Sequence, residues 1–260
     1  MITEKSNVLV LICGEYRTFD VAINHSWNQF KTLPNFHLYF STWDFSYQGN
    51  DLLDIHYKED IKEESIKKYF DKEVYVNVMN LEKNMPNHNI SYSKSLEYSN
   101  DAVSVHLRKL TDIFNQGKYQ WDYIILTRPD LLISDIDLMY DYKDDTIYTP
   151  YDALNDDNII HDTFFIGNPT LMRDFIFYLE RNNAYDHLRL KTAQTDGIFK
   201  FNQIPTLQTQ IIRPNCRDIN TKLTFKIAQD KFIEYDKEKE LIWQSKIENG
   251  IGLRLIGKIR

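Results

Sequence analysis

Val8 to Cys13 reads VLVLIC, six apolar residues with no polar position among them. A half-buried strand alternates in polarity and an amphipathic helix returns to its apolar face every three or four residues. A short, unbroken and largely β-branched run therefore points to a strand covered on both faces, the habit of a parallel sheet. The downstream segments fit that constraint. Phe19 to about Lys31 suits a helix, Phe36 to Thr42 (FHLYFST) a second strand, Glu59 to Phe70 a modest helix and Glu73 to Met79 a third strand. A longer helix is expected from about Leu96 to Gln116, because Val103, Leu107, Leu110 and Phe114 recur on one face, with Gly117 ending it. Trp121 to Thr127 is the fourth strand. Strand and helix in alternation predict an α/β fold with a mostly parallel sheet flanked by helices.

The second half changes character. Thr146 to Pro150 and Asp162 to Gly167 are short strands, Pro169 opens a helix and a further helical stretch covers about Tyr185 to Phe199. Thr206 to Arg213 returns to strand alternation. Leu81 to Ser95 reads as a loop, and the charged tail from Lys222 packs back on the body. The expectation is one domain over 1–260, with a parallel α/β half at 1–134 and a mixed α/β half at 135–260.

Lys and Arg number 31 against 38 Asp and Glu, a formal charge of −7, and a nucleic-acid partner would call for a basic surface. Nucleic acid is therefore not an expected partner. Cys13 and Cys216 form neither a disulfide framework nor a zinc pattern, which favours a reducing, cytoplasmic setting. No apolar run is long enough to span a membrane. Aromatic residues make up 14%, which suits rings that stack on sugars or bases.

Chemistry gathers where strands end. The fourth strand stops at Thr127-Arg128-Pro129-Asp130. Arg128 offers a planar fork to phosphate oxygens, and Asp130 offers hard oxygens to Mg2+ or Mn2+, or an acceptor to sugar hydroxyls. A strand-end salt bridge is the alternative reading of the same pair. Gly14-Glu15-Tyr16-Arg17-Thr18 follows the first strand. Its amides and Arg17 could face a phosphate, although the glycines of a dinucleotide-binding loop are missing. Arg17 could equally pair with Asp20 or Asp44. Asp44 closes the second strand and suits either a ribose hydroxyl or a helix cap. Asp162 and Asp196 are the two candidates for a general base acting on an acceptor hydroxyl, Asp196 also suiting a plain helix end. Asp135-Ile136-Asp137 is a literal D-x-D, but its acidic surroundings read as a solvated connector.

Four motifs in this order, GEYRTF, FSTWD, WDYIILTRPDLL and HDTFFIG, resemble small GT-A-type glycosyltransferase-like proteins of bacterial surface-polysaccharide loci and of large viruses and phages. The resemblance spans Asn7 to Gly167. It implies a GT-A-like fold and transfer of a sugar from a nucleotide-sugar donor to a glycan or oligosaccharide acceptor. Gly14, Arg17, Thr18, Asp44, Arg128 and Asp130 would line the donor site. Arg128 and Asp130 would stand where such enzymes carry an acidic D-x-D that holds a metal on the diphosphate. The arginine departs from that pattern. Mn2+ or Mg2+ held through Asp130 and metal-free neutralisation by Arg128 are thus both open. Asp162 would be the base in an inverting enzyme. A non-catalytic carbohydrate-binding protein on a degenerate transferase fold is the alternative function.

Overall fold

The computed structural model describes residues 2–16, 19–33, 35–50, 55–84, 103–110, 121–133, 140–150, 160, 163–182, 184, 187–204, 209–211 and 255–256. β1 (Val8–Cys13) lies inside a seven-stranded sheet. β2 (Phe36–Trp43) pairs with it in parallel on one side and β6 (Tyr123–Thr127) in parallel on the other. β5 (Tyr75–Met79) extends the sheet beyond β2, again in parallel. Beyond β6 come β9 (Phe164–Gly167), antiparallel to its neighbours, then β8 (Ile147–Pro150) and β10 (Phe201–Ile204). The order is β10-β8-β9-β6-β1-β2-β5, a mostly parallel sheet with one reversed strand.

Both faces of β1 are buried, as its sequence requires, and alternate residues go to different cores. Val8, Val10 and Ile12 join Phe19, Ile23, Trp27 and Phe30 of α1 (Phe19–Phe30). Leu9, Leu11 and Cys13 join Leu107 and Leu110 of α4 (residues 103–110) and Phe175 and Leu179 of α5 (Pro169–Asn182). Each fully buried Leu, Ile or Phe here contributes about 1.5–3 kcal/mol relative to exposure. The helix-flanked α/β sheet is thus the architecture that VLVLIC predicted.

Some expectations shift. Between the second strand and the helix expected from Glu59, the chain forms an antiparallel ribbon, β3 (Phe45–Asn50) with β4 (Ile55–Asp60), so Glu59 and Asp60 are strand residues. The helix α2 is confined to Glu63–Lys67. A two-stranded ribbon is held by backbone pairing and leaves little apolar periodicity in the sequence. α3 (Leu81–Asn84) occupies the start of the expected loop. α6 (His187–Thr195) ends short of Phe199, because Gly197 takes φ +69° and Asp196 and Gly197 close the last turn. β7 (Leu131–Ile133) leaves the main sheet to pair with β11 (Thr209–Ile211), which also pairs with β12 (Leu255–Ile256). The buried Ser26 hydroxyl of α1 anchors β7 twice, donating to the Leu131 carbonyl and accepting from the Ile133 amide, both at 2.9 Å. Among the described residues no helix is long and apolar enough to cross a membrane.

Candidate functional site

In this order the chain leaves β1 toward β2 and β5, then returns to β6 on the other side of β1. The sheet's switch point therefore lies between the carboxyl ends of β1 and β6, where open α/β sheets form a ligand crevice. Two predicted segments meet there. Gly14 follows β1 with φ +127°, and its amide donates to the Ser41 carbonyl at 3.1 Å. A Cβ at Gly14 would stand 3.5 Å from Cδ of Pro129, so the two strand ends touch. That spacing is ordinary contact, and the positive φ is what requires glycine. Gly14→Ala should cost about 1–3 kcal/mol from backbone strain, measured as a lower urea midpoint with an unchanged slope. A variant as stable as the parent would show that the backbone at Gly14 is not strained.

Arg128 and Asp130 form a two-pronged pair. Nε donates to Oδ1 and Nη2 to Oδ2, both at 2.9 Å. The Asp130 side chain is 1% exposed and that of Arg128 15%. Pro129 between them is buried and fixes the backbone φ, so the fork is held in one geometry. The strand-end salt bridge is therefore the state this structure displays. Burial pushes the neighbouring Cys13 thiol up to about 12, and the positive charge of Arg128 offsets only part of that. Cys13 is thus an inert core residue and no nucleophile.

The remaining candidates fall in different places. Asp44 ends β2, where its Oδ2 accepts from the Asn80 amide at 2.6 Å and its Oδ1 from the Leu81 N–H at 3.2 Å. Its carboxylate thus caps α3, one of the two roles the sequence allowed. Asp196 is exposed, and its amide closes the end of α6 on the Thr192 carbonyl at 2.9 Å. The chain runs from there into the amino end of β10, the sheet edge opposite Arg128, so Asp196 and Arg128 are not brought together. Arg17, Thr18, Asp162, Asp135 and Asp137 lie outside the described residues.

A divalent cation needs several oxygen or nitrogen donors converging on one point. Among the described residues no three His, Cys, Asp or Glu side chains do so, and both Asp130 oxygens accept from Arg128. The described side chains do not fit a cation at Asp130.

One cluster was missed by the sequence reading. Ser41, in β2, has its hydroxyl 2.9 Å from Nδ1 of His106 on α4 and accepts from the Asn77 amide at 3.2 Å. Trp43 packs on the His106 ring with centroids 4.4 Å apart. His106 is fully buried, and burial lowers its pKa from 6.5 to about 3, so it is neutral. Its Nε2, like the hydroxyls of Thr42 and Thr163, is buried with no hydrogen-bond partner among the described residues. Thr163 sits beside the end of β6, its carbonyl accepting from the Thr127 hydroxyl at 3.2 Å. An unsatisfied buried polar atom costs about 1–3 kcal/mol, and Thr42 and Thr163 fall along the same carboxyl edge as Arg128. A lone histidine one position off an apolar helix face gave the sequence no signal for this cluster.

No family model matches this chain, and no curated protein matches it. Among solved structures, the galactosyltransferase LgtC in complex with donor and acceptor sugar analogues is similar at 11% identity and a TM-score of 0.44, over 76% of this chain and 73% of that one. Two structures of the glycosyltransferase GlyE from Streptococcus pneumoniae TIGR4, one of them the apo form, are similar at 10% identity and a TM-score of 0.41. They cover 76% and 77% of this chain but 45% and 46% of theirs, so the chain spans less than half their length. Likeness at that level decides neither substrate nor chemistry, and the functional case rests on the geometry at the β1 and β6 ends.

Proposed function

We propose that this chain is a glycosyltransferase that moves a sugar from a nucleoside-diphosphate donor to a glycan hydroxyl, with the donor diphosphate over the carboxyl ends of β1 and β6. The observation that carries this reading is the buried, two-pronged Arg128–Asp130 pair in contact with a positive-φ glycine at the sheet's switch point. In transfer, the acceptor oxygen bonds to the anomeric carbon as the bond to the diphosphate breaks, and negative charge grows on the leaving group. A fixed cation aimed at that charge lowers the barrier without reorganising. Arg128 is that cation in this reading, and Asp130 is the positioning residue that holds its fork. The acceptor proton passes to Asp162 if the anomeric centre is inverted.

One observation favours a second reading, a non-catalytic carbohydrate-binding protein. Asp130 commits both oxygens to Arg128, and the described residues assemble no cation cage. Nucleotide binding separates the two. With UDP, GDP, CDP and dTDP tested in turn, one of them should raise the thermal midpoint, and the rise should persist in EDTA. A ligand at a hundred times its Kd adds about 2.7 kcal/mol to the folded state. No rise with any of the four overturns the transferase reading, and a rise abolished by EDTA overturns the assignment of the diphosphate to Arg128.

A further inference from the structure

The opposite edge of the sheet carries a separate, largely open cavity of about 440 Å3. It opens at the amino ends of β1 and β6. Its wall includes Lys5, Trp121, Asp122, Tyr123, Asp144 and Asn168. From Tyr123 to Arg128 the strand advances roughly 16 Å, at about 3.3 Å per residue, so this cavity is distinct from the Arg128 edge.

Three locally closed units build the wall. The turn at residues 3–6 is fastened twice, Ser6 N–H donating to the Thr3 carbonyl at 2.9 Å and Thr3 N–H to the Ser6 hydroxyl at 3.0 Å. Asn7 and Asp122 bond reciprocally. The Asn7 amide donates to the Asp122 carboxylate, and the Asp122 amide donates to the Asn7 carbonyl, both at 2.8 Å. Asn168 caps α5 by accepting from the Thr170 amide at 2.9 Å, which turns its own NH2 group toward Asp144 at 3.5 Å. The cavity is therefore preformed, and binding there would order little.

The chemistry of the wall selects its occupant. One ammonium against two carboxylates repels a polyanion, which sets this cavity apart from a diphosphate site. The mostly polar lining disfavours a lipid or another apolar ligand. Asp144 and Asn168 present planar acceptors and donors side by side, an arrangement that meets neighbouring hydroxyls of a sugar ring. The half-buried Trp121 and Tyr123 supply aromatic surface for its C–H groups. Burial and the carboxylates of Asp144, Asp122 and Asp141 raise the Tyr123 pKa, so its hydroxyl stays a donor.

We infer that the cavity walled by Trp121, Asp122, Tyr123, Asp144 and Asn168 is a saccharide-binding site that holds one unit of a neutral glycan. It is independent of the donor site. Saturation-transfer NMR with the methyl glycosides of glucose, galactose, N-acetylglucosamine and rhamnose, and with putrescine as a cationic control, tests this on the full chain. At least one glycoside should take up saturation. Asp144→Ala, at an exposed position, should weaken that binding about tenfold, the scale of one lost hydrogen bond to a charged group, and Trp121→Leu should weaken it comparably. The inference is overturned by saturation of no glycoside, by saturation of putrescine alone, or by glycoside binding that survives both Asp144→Ala and Trp121→Leu. None of these outcomes depends on transferase activity.

Discussion

Asp130→Ala should destabilise the folded chain by about 3–5 kcal/mol, read as a fall in the urea midpoint. The carboxylate is 1% exposed and its partner guanidinium 15%, and two hydrogen bonds of 2.9 Å join them. Removing one partner leaves the other charge in a low-dielectric setting without compensation, and that penalty exceeds the net worth of the pair itself. The double variant Arg128→Met/Asp130→Leu removes both charges together and should recover most of the loss. A single variant within about 1 kcal/mol of the parent would show that water reaches the pair. The double variant also separates structure from function. If it is nearly as stable as the parent and its thermal midpoint no longer responds to the nucleoside diphosphate, Arg128 is the diphosphate's partner. If the response persists, the charge that meets the diphosphate comes from elsewhere.

The legible parts of this fold are those that local pattern dictates. VLVLIC points to a strand buried on both faces, and Val8/Val10/Ile12 and Leu9/Leu11/Cys13 do divide between two cores. Arg128 and Asp130 were visible as charges breaking an apolar strand, because such residues need a reason to stand at a sheet edge. The sequence offered their mutual salt bridge as one of two readings, and the structure displays that pairing. Pairing at a spacing of two depends on the backbone geometry at Pro129, which only the fold supplies. α3 was hidden only in part. Asn80 caps it locally by accepting from the Lys83 amide at 2.8 Å, but Asp44 also reaches the Leu81 amide across 37 positions of chain, and no local spacing encodes that contact. His106 was invisible because its significance lies in Ser41, 65 positions away, and in the burial that keeps it neutral. The ribbon of β3 and β4 left no apolar stripe, and the chain there read as a loop.

His106 has a second consequence, in the pH dependence of stability. Burial depresses its pKa from 6.5 to about 3, so the folded chain keeps the imidazole neutral at a pH where the unfolded chain protonates it. The contribution is whole above about pH 6.5 and is lost as the pH falls toward 3, since the unfolded state there binds the extra proton. The loss runs at about 1.4 kcal/mol per pH unit across the middle of that window. Between pH 5.5 and pH 4 it amounts to about 2 kcal/mol. The exposed carboxylates of Asp71 and Asp145, held below their usual range mainly by Lys31 and by Thr146 with Lys200, also weaken the fold in acid. They are unchanged in His106→Gln, so the difference between parent and variant isolates the imidazole. Urea unfolding of both chains at pH 5.5 and pH 4 should show the variant losing about 2 kcal/mol less than the parent over that interval. Equal losses would mean that His106 takes up its proton in the folded state, and hence that α4 does not seal the imidazole against Ser41 and Trp43.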